Sequence, residues 1–362
     1  MSYLSAQEIE SGVRRLASAY PEHCRLVTPP NASVEGRAIV GLEIGAGGET
    51  AIIIVGGLHA REWIPPDALL YLAADLLEAR QAGLGLTYGG ARIAAEEVAA
   101  IFERLTLVLV PCANPDGRVY RQTVDPDWRK NRGGSAADAC VGADLNRNFD
   151  VAWDFRRTFA PDAVSASADP CHKYLYVGPE AASEPETRNV VWLFDQYPRA
   201  GWFIDVHGAV PAVFHNWGLD ENQSTAPEQT FLNTAFDGQR GRAGDGAYAE
   251  FIDAGDEVEL ARLSHLMADE IRKVRDDDYA VSASFSLYAT SGASDDYAYS
   301  RHRADASLGK VLGFVIECGH EFQPDWSEAE AVIREVGAGL SRFAADIAGR
   351  VPAGSGQGAV AF

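Results

Sequence analysis

Residues 51–63 read Ala-Ile-Ile-Ile-Val-Gly-Gly-Leu-His-Ala-Arg-Glu-Trp. A short apolar run rich in β-branched residues and closed by two glycines predicts a buried central strand of an α/β sheet. In such sheets the ligand crevice lies beyond the carboxyl ends of the strands. His59 and Glu62 follow immediately and so fall where chemistry is done. An imidazole and a carboxylate three residues apart can converge on one side of a turn, and both are ordinary zinc ligands. On its own, His-x-x-Glu is a weak signal; its meaning depends on what else reaches the same sheet edge.

The pattern around it supplies that context. Val40, Leu42 and Ile44 alternate with polar or small residues and predict a strand, as do Leu105 to Val110, Trp202 to Val206 and Val311 to Ile316. Helices are predicted at 5–19, where Ser5 and Glu8 form a capping-box pattern, and from Pro65 to about Arg80, 92–104, Glu184–Tyr197, Glu257–Val274 and Ser327–Arg350. Gln81 to Gly90 is predicted as a glycine-rich loop, Asn114-Pro115-Asp116-Gly117 as a turn, and residues 218–256 as a surface excursion. The long stretch 118–183 has little periodicity; in a compact protein such a segment is usually functional.

Strands alternating with helices predict a single α/β domain over residues 1–350, a twisted, mixed, mostly parallel sheet with helices on both faces. Residues 351–362 are predicted as a flexible tail. His59, His207 and Glu317 each stand just after an apolar strand, so one sheet brings them to one edge. His59, Glu62 and His207 then make a His₂Glu set, the donor pattern of a catalytic zinc site with a position left open.

Composition narrows the partners. The 362-residue chain is 47% hydrophobic and carries 52 acidic against 31 basic residues, a formal charge of −21. That charge repels nucleic acid and anionic membranes, and no apolar run is long enough to span a bilayer. The first residues lack the basic start and apolar core of a secretory signal, which leaves the compartment undetermined between cytoplasm and a mature secreted domain. Five cysteines are too few for a disulfide scaffold.

The chain resembles the metallocarboxypeptidases of the carboxypeptidase A and B type. The resemblance rests on six ordered motifs between residues 3 and 349: His59-Ala60-Arg61-Glu62-Trp63, Trp128-Arg129-Lys130-Asn131-Arg132, Asp144-Leu145-Asn146-Arg147-Asn148, His207, Leu287-Tyr288 with Ser291 to Tyr297, and Phe314-Val315-Ile316-Glu317. It implies one zinc ion per chain on His59, Glu62 and His207, with Asp144 orienting the first histidine. It implies Glu317 as general base and acid, and Arg129 as stabiliser of the oxyanion. Asn146 and Arg147 would clamp the substrate's terminal carboxylate, Tyr288 would close over it, and Arg61 would contact the peptide one subsite further back. Cys140 and Cys171 match a disulfide of secreted members, a pair more often reduced in a cytosolic protein.

The resemblance also sharpens specificity. Asp295 occupies the position at the floor of the family's side-chain pocket, where an aspartate goes with C-terminal lysine or arginine. Gly218 stands at a wall of that pocket, so the acidic residue used there by the hormone-processing branch is absent. The expected partners are therefore peptide and protein C-termini ending in a basic residue. Ala209 replaces an aromatic residue of the digestive enzymes, and no inhibitory segment is expected ahead of the first helix. Three other readings use the same residues: a peptidase acting on diaminopimelate-containing peptides, a zinc deacylase of N-acyl amino acids, and a metal-dead peptide-binding module.

Overall fold

A computed structural model describes residues 2–45, 50–134 and 140–352. Eight strands make the main sheet: β1 (Cys24–Val27), β2 (Gly41–Ile44), β3 (Thr50–Gly56), β4 (Leu105–Val110), β5 (Ala200–His207), β6 (Ala212–His215), β7 (Ala280–Ala283) and β8 (Leu312–Glu317). Their order across the sheet is β1-β2-β4-β3-β5-β8-β6-β7. The four central strands β4, β3, β5 and β8 run parallel, and antiparallel pairings attach β2 on one side and β6 on the other. This is the predicted mixed, mostly parallel α/β architecture.

Both faces of the central strands are buried, which is why they read as continuous apolar runs rather than as alternation. Trp202 and Phe314 meet Phe343 of helix Trp326–Arg350 on one face. Phe203 meets Phe194 of helix Pro185–Gln196 on the other, and Phe194 also meets Tyr297 of helix Ser294–Ala304. Successive side chains of a strand point to opposite faces. Phe203, Asp205 and His207 therefore share the face of Phe194, and the register places Glu317 beside His207 and Val315 beside Asp205. The site thus lies at the carboxyl end of the sheet, on the face covered by Ser294–Ala304 and the irregular segment before Pro185.

The structure corrects several sequence expectations. Asn114-Pro115-Asp116-Gly117 is not a free turn but the start of a helix, Pro115–Thr123, whose Asn114 side chain accepts from Gly117 N–H. Proline at the first helical position and asparagine at the cap favour a helix start as much as a turn. The expected loop at 81–90 contains a strand, Leu86–Tyr88, paired with Ala91–Ile93, so the following helix begins at Ala95. Residues 218–256 are not merely a surface excursion. Asp220, Arg240 and Glu250 are buried in them, and the Arg240 guanidinium donates to the carbonyl oxygens of Thr158, Thr230 and Asn233. Strands β1, β6 and β7 and helix Ser294–Ala304 were not anticipated.

Residues 353–362 of the expected tail lie outside the described residues, and Val351 ahead of them is buried. Among the described residues, no helix is long and apolar enough to cross a membrane.

Candidate active site

The chain leaves β3 at Gly56, and the loop that follows presents His59 and Glu62 just before helix Ile64–Ala82. Asn114 pins this loop: its side-chain amide donates to Leu58 O at 2.9 Å and to Lys130 O at 3.2 Å. The first motif is thereby tied to the Trp128–Arg132 segment. Nothing in the sequence analysis singled out Asn114 for this.

His59 Nδ1 lies 2.8 Å from Glu62 Oε1, His207 Nδ1 lies 2.9 Å from Glu62 Oε2, and the two Nδ1 atoms are 3.0 Å apart. All three side chains are buried. Each imidazole turns its other nitrogen to a buried carboxylate: His59 Nε2 to Asp144 Oδ1 at 3.1 Å, His207 Nε2 to Asp205 Oδ2 at 2.9 Å. A ring that donates from Nε2 has a lone pair on Nδ1. Two such lone pairs and a carboxylate then meet within 4.8 Å, an acceptor set that a cation reconciles. The donors and the carboxylates that orient them suit zinc. Asp205 was missed as an orienting residue. The signal was present, since residues 205 and 207 of one strand share a face.

Asp144 does two tasks. While Oδ1 holds His59, Oδ2 accepts from Arg129 Nε at 3.0 Å. Burial works against its ionisation, but the guanidinium charge of Arg129 first, and then the neighbouring His59 that donates to it, hold it well below the usual carboxylate range. Glu62 is likewise held low: burial raises it, and the neighbouring His59 and His207 outweigh that. Glu317 goes the other way. Burial first, then the charge of Glu62, pushes its carboxyl up to about 8. A divalent cation at the three ligands would pull it back toward its ordinary range.

Arg147 is buried, with Nε donating to Ser165 O at 2.7 Å and Nη1 to Asn146 O at 2.5 Å. Its Nη2 is buried without a partner among the described residues, and the exposed Tyr288 ring lies 5.7 Å from the guanidinium carbon. Asn146 accepts from Ser294 N at 2.7 Å, and Ser294 Oγ donates to Asp205 at 2.6 Å. One network therefore runs from the loop at 146 to the His207 carboxylate. Arg61 sits between the rings of Phe322 and Tyr174, 4.3 and 4.9 Å away, and reaches Asp127 at 3.4 Å.

These residues converge. His59, Glu62, Arg61, Arg129, Asn146, Arg147, Tyr288, Asp295 and Glu317 all line one cleft of about 170 Å³. Only His207 and Asp144, behind the wall, do not. Asp295 is buried in the first turn of helix Ser294–Ala304, not placed on a surface loop. Burial raises its pKa, and a hydrogen bond from Ser284 Oγ at 2.8 Å opposes that. Cys140 and Cys171 form a disulfide, and Cys24, Cys112 and Cys318 are free and buried.

The similarity to known proteins agrees with this geometry. A family model described as zinc carboxypeptidase matches residues 9–335. A carboxypeptidase B of Astacus astacus is 30% identical over 302 residues, 82% of each chain. An inactive metallocarboxypeptidase of Talaromyces stipitatus is 33% identical over 228 residues, 59% of this chain but 34% of that longer one. In fold, the chain resembles bovine thrombin-activatable fibrinolysis inhibitor in complex with tick carboxypeptidase inhibitor, with a TM-score of 0.70 at 22% identity over 95% of this chain and 97% of that one. The chain belongs to the zinc carboxypeptidase family. It is a metallocarboxypeptidase, with His59, Glu62 and His207 as its candidate zinc site.

Proposed function

We propose that the protein is a zinc-dependent exopeptidase that removes a C-terminal lysine or arginine from peptides. One observation carries the specificity: Asp295 is buried, yet it lines the same cleft as Glu317 and Arg147. A buried carboxylate calls for a cationic partner, and the side chain of a basic terminal residue supplies one.

In this reading Arg147 and Asn146 receive the terminal carboxylate, with the unpaired Nη2 of Arg147 completing a planar fork. Tyr288, exposed at the rim, covers the bound residue, and Arg61 holds the peptide further back. The zinc, when bound, supplies Lewis acidity that polarises the scissile carbonyl and acidifies water. Glu317 takes a proton from the attacking water and returns it to the leaving amine. Arg129, fixed through Nε on Asp144, offers its other N–H groups to the oxygen on which charge develops. The complete ligand set and Glu317 favour activity over a metal-dead binding module.

The test is kcat/KM on hippuryl-Arg, hippuryl-Lys and hippuryl-Phe for the native chain and Asp295→Ile. The native protein is expected to favour the basic substrates, and the variant to lose that preference by about 10²-fold. A preference that survives in Asp295→Ile removes Asp295 from the pocket.

A further inference from the structure

We propose that Ser284 and Thr290 are specificity-determining residues whose hydroxyls, together with Asp295, hold the ammonium of a C-terminal lysine in preference to the guanidinium of an arginine. The proposal rests on the basic pocket just described and names its ligand more narrowly.

Both residues line the cleft beside Asp295. The Ser284 hydroxyl spends its proton on Asp295 Oδ2 at 2.8 Å, so toward a newcomer it is an acceptor. Thr290 is 9% exposed, and its Oγ is buried with no hydrogen-bond partner among the described residues. A stranded hydroxyl is unfavourable; this one faces Gly218 with no exposed surface, so it meets a ligand in the cleft only when one staggered step about χ1 exchanges it with the methyl, a rotation that belongs to the proposal.

Gly218 shows how the two sit together. A Cβ there would lie 2.3 Å from Thr290 Oγ1 and 3.4 Å from Ser284 Cβ. The wall at 218 must therefore be glycine while Thr290 holds its place. The apolar lining of the cleft includes Phe214, Leu287, Ala293 and Val315, which offer no side-chain acceptor.

The stoichiometry of donors then decides. An alkylammonium carries three N–H donors, and Asp295, Ser284 and Thr290 provide three side-chain acceptors. A guanidinium carries five in a plane, and the surplus donors would face apolar walls. A primary ammonium is the better fit.

The experiment measures kcat/KM on hippuryl-Lys, hippuryl-Arg and hippuryl-Phe for the zinc-loaded native protein, Thr290→Val, Thr290→Ser and Ser284→Ala. Thr290→Val keeps the shape and removes the hydroxyl; Thr290→Ser keeps the hydroxyl. The native protein is expected to prefer lysine to arginine. Thr290→Val and Ser284→Ala should each lower the Lys-to-Phe ratio by about tenfold, chiefly through KM, while Thr290→Ser retains it. A native preference for arginine over lysine overturns the proposal. So does a Thr290→Val protein whose Lys-to-Phe ratio stays at the native value, including one that loses all three activities together. A native preference for hippuryl-Phe is a different result: it defeats the basic pocket itself.

Discussion

The Nδ1 atoms of His59 and His207 face each other at 3.0 Å, with Glu62 against both. Two imidazole nitrogens and a carboxylate gathered this closely make a donor set for a cation. Zinc should therefore stabilise the folded chain by mass action, since the unfolded chain cannot assemble the set. The thermal midpoint is expected to fall on chelation and to return with zinc. His207→Ala should abolish that zinc-dependent rise. A midpoint indifferent to zinc in the native protein would contradict the ligand assignment.

Asp144 presents one oxygen to His59 and the other to Arg129. Asp144→Asn keeps the shape but removes the charge that orients both. Zinc affinity is expected to drop by about 10–100-fold, the usual effect of losing a carboxylate behind a metal-bound histidine. Competition with a chromogenic chelator measures it.

Arg147 and Glu317 line the same cleft but should fail differently. Arg147→Ala removes a carboxylate receptor, so KM should rise far more than kcat falls. Glu317→Gln removes the proton carrier, so kcat should fall by about 10²–10⁴-fold with KM little changed. Steady-state kinetics on a single basic substrate separates the two; the same pattern in both variants would undo the division of roles.

Glu250 makes a separate prediction, about stability. Burial raises its carboxyl from 4.5 to about 7, against a hydrogen bond from Tyr248. The folded state therefore binds this proton more tightly than the unfolded chain. The stabilisation is complete below about pH 4.5 and is lost as pH rises through about 7. Glu250→Gln, which imitates the protonated form, should flatten the fall in thermal midpoint across that interval. Melting curves of both proteins from pH 4.5 to 8 would show it.

The centre of the sheet and the reactive groups were legible for one reason. His207 and Glu317 each close an apolar strand, His59 follows one in the next loop, and a parallel sheet sends such ends to one edge. What escaped was polar and buried. Asp295 was legible as a pocket residue, but the helix it opens and the buried Asp296 beside it were not. Strands β6 and β7 have four residues each, too few to show a period. The segment around Arg240 looked solvated because its composition is polar; its burial depends on carbonyl partners distant in sequence, such as Thr158. Thr290 gave no signal at all, because an unpaired hydroxyl exists only in three dimensions.

Zinc-dependent exopeptidase activity is tested most directly by lysine release from hippuryl-Lys by the zinc-loaded protein, before chelation, after it, and after zinc is restored. Release that stops with the chelator and returns with zinc is the predicted result. Release that persists without metal, or no release from the zinc-loaded protein, would contradict it.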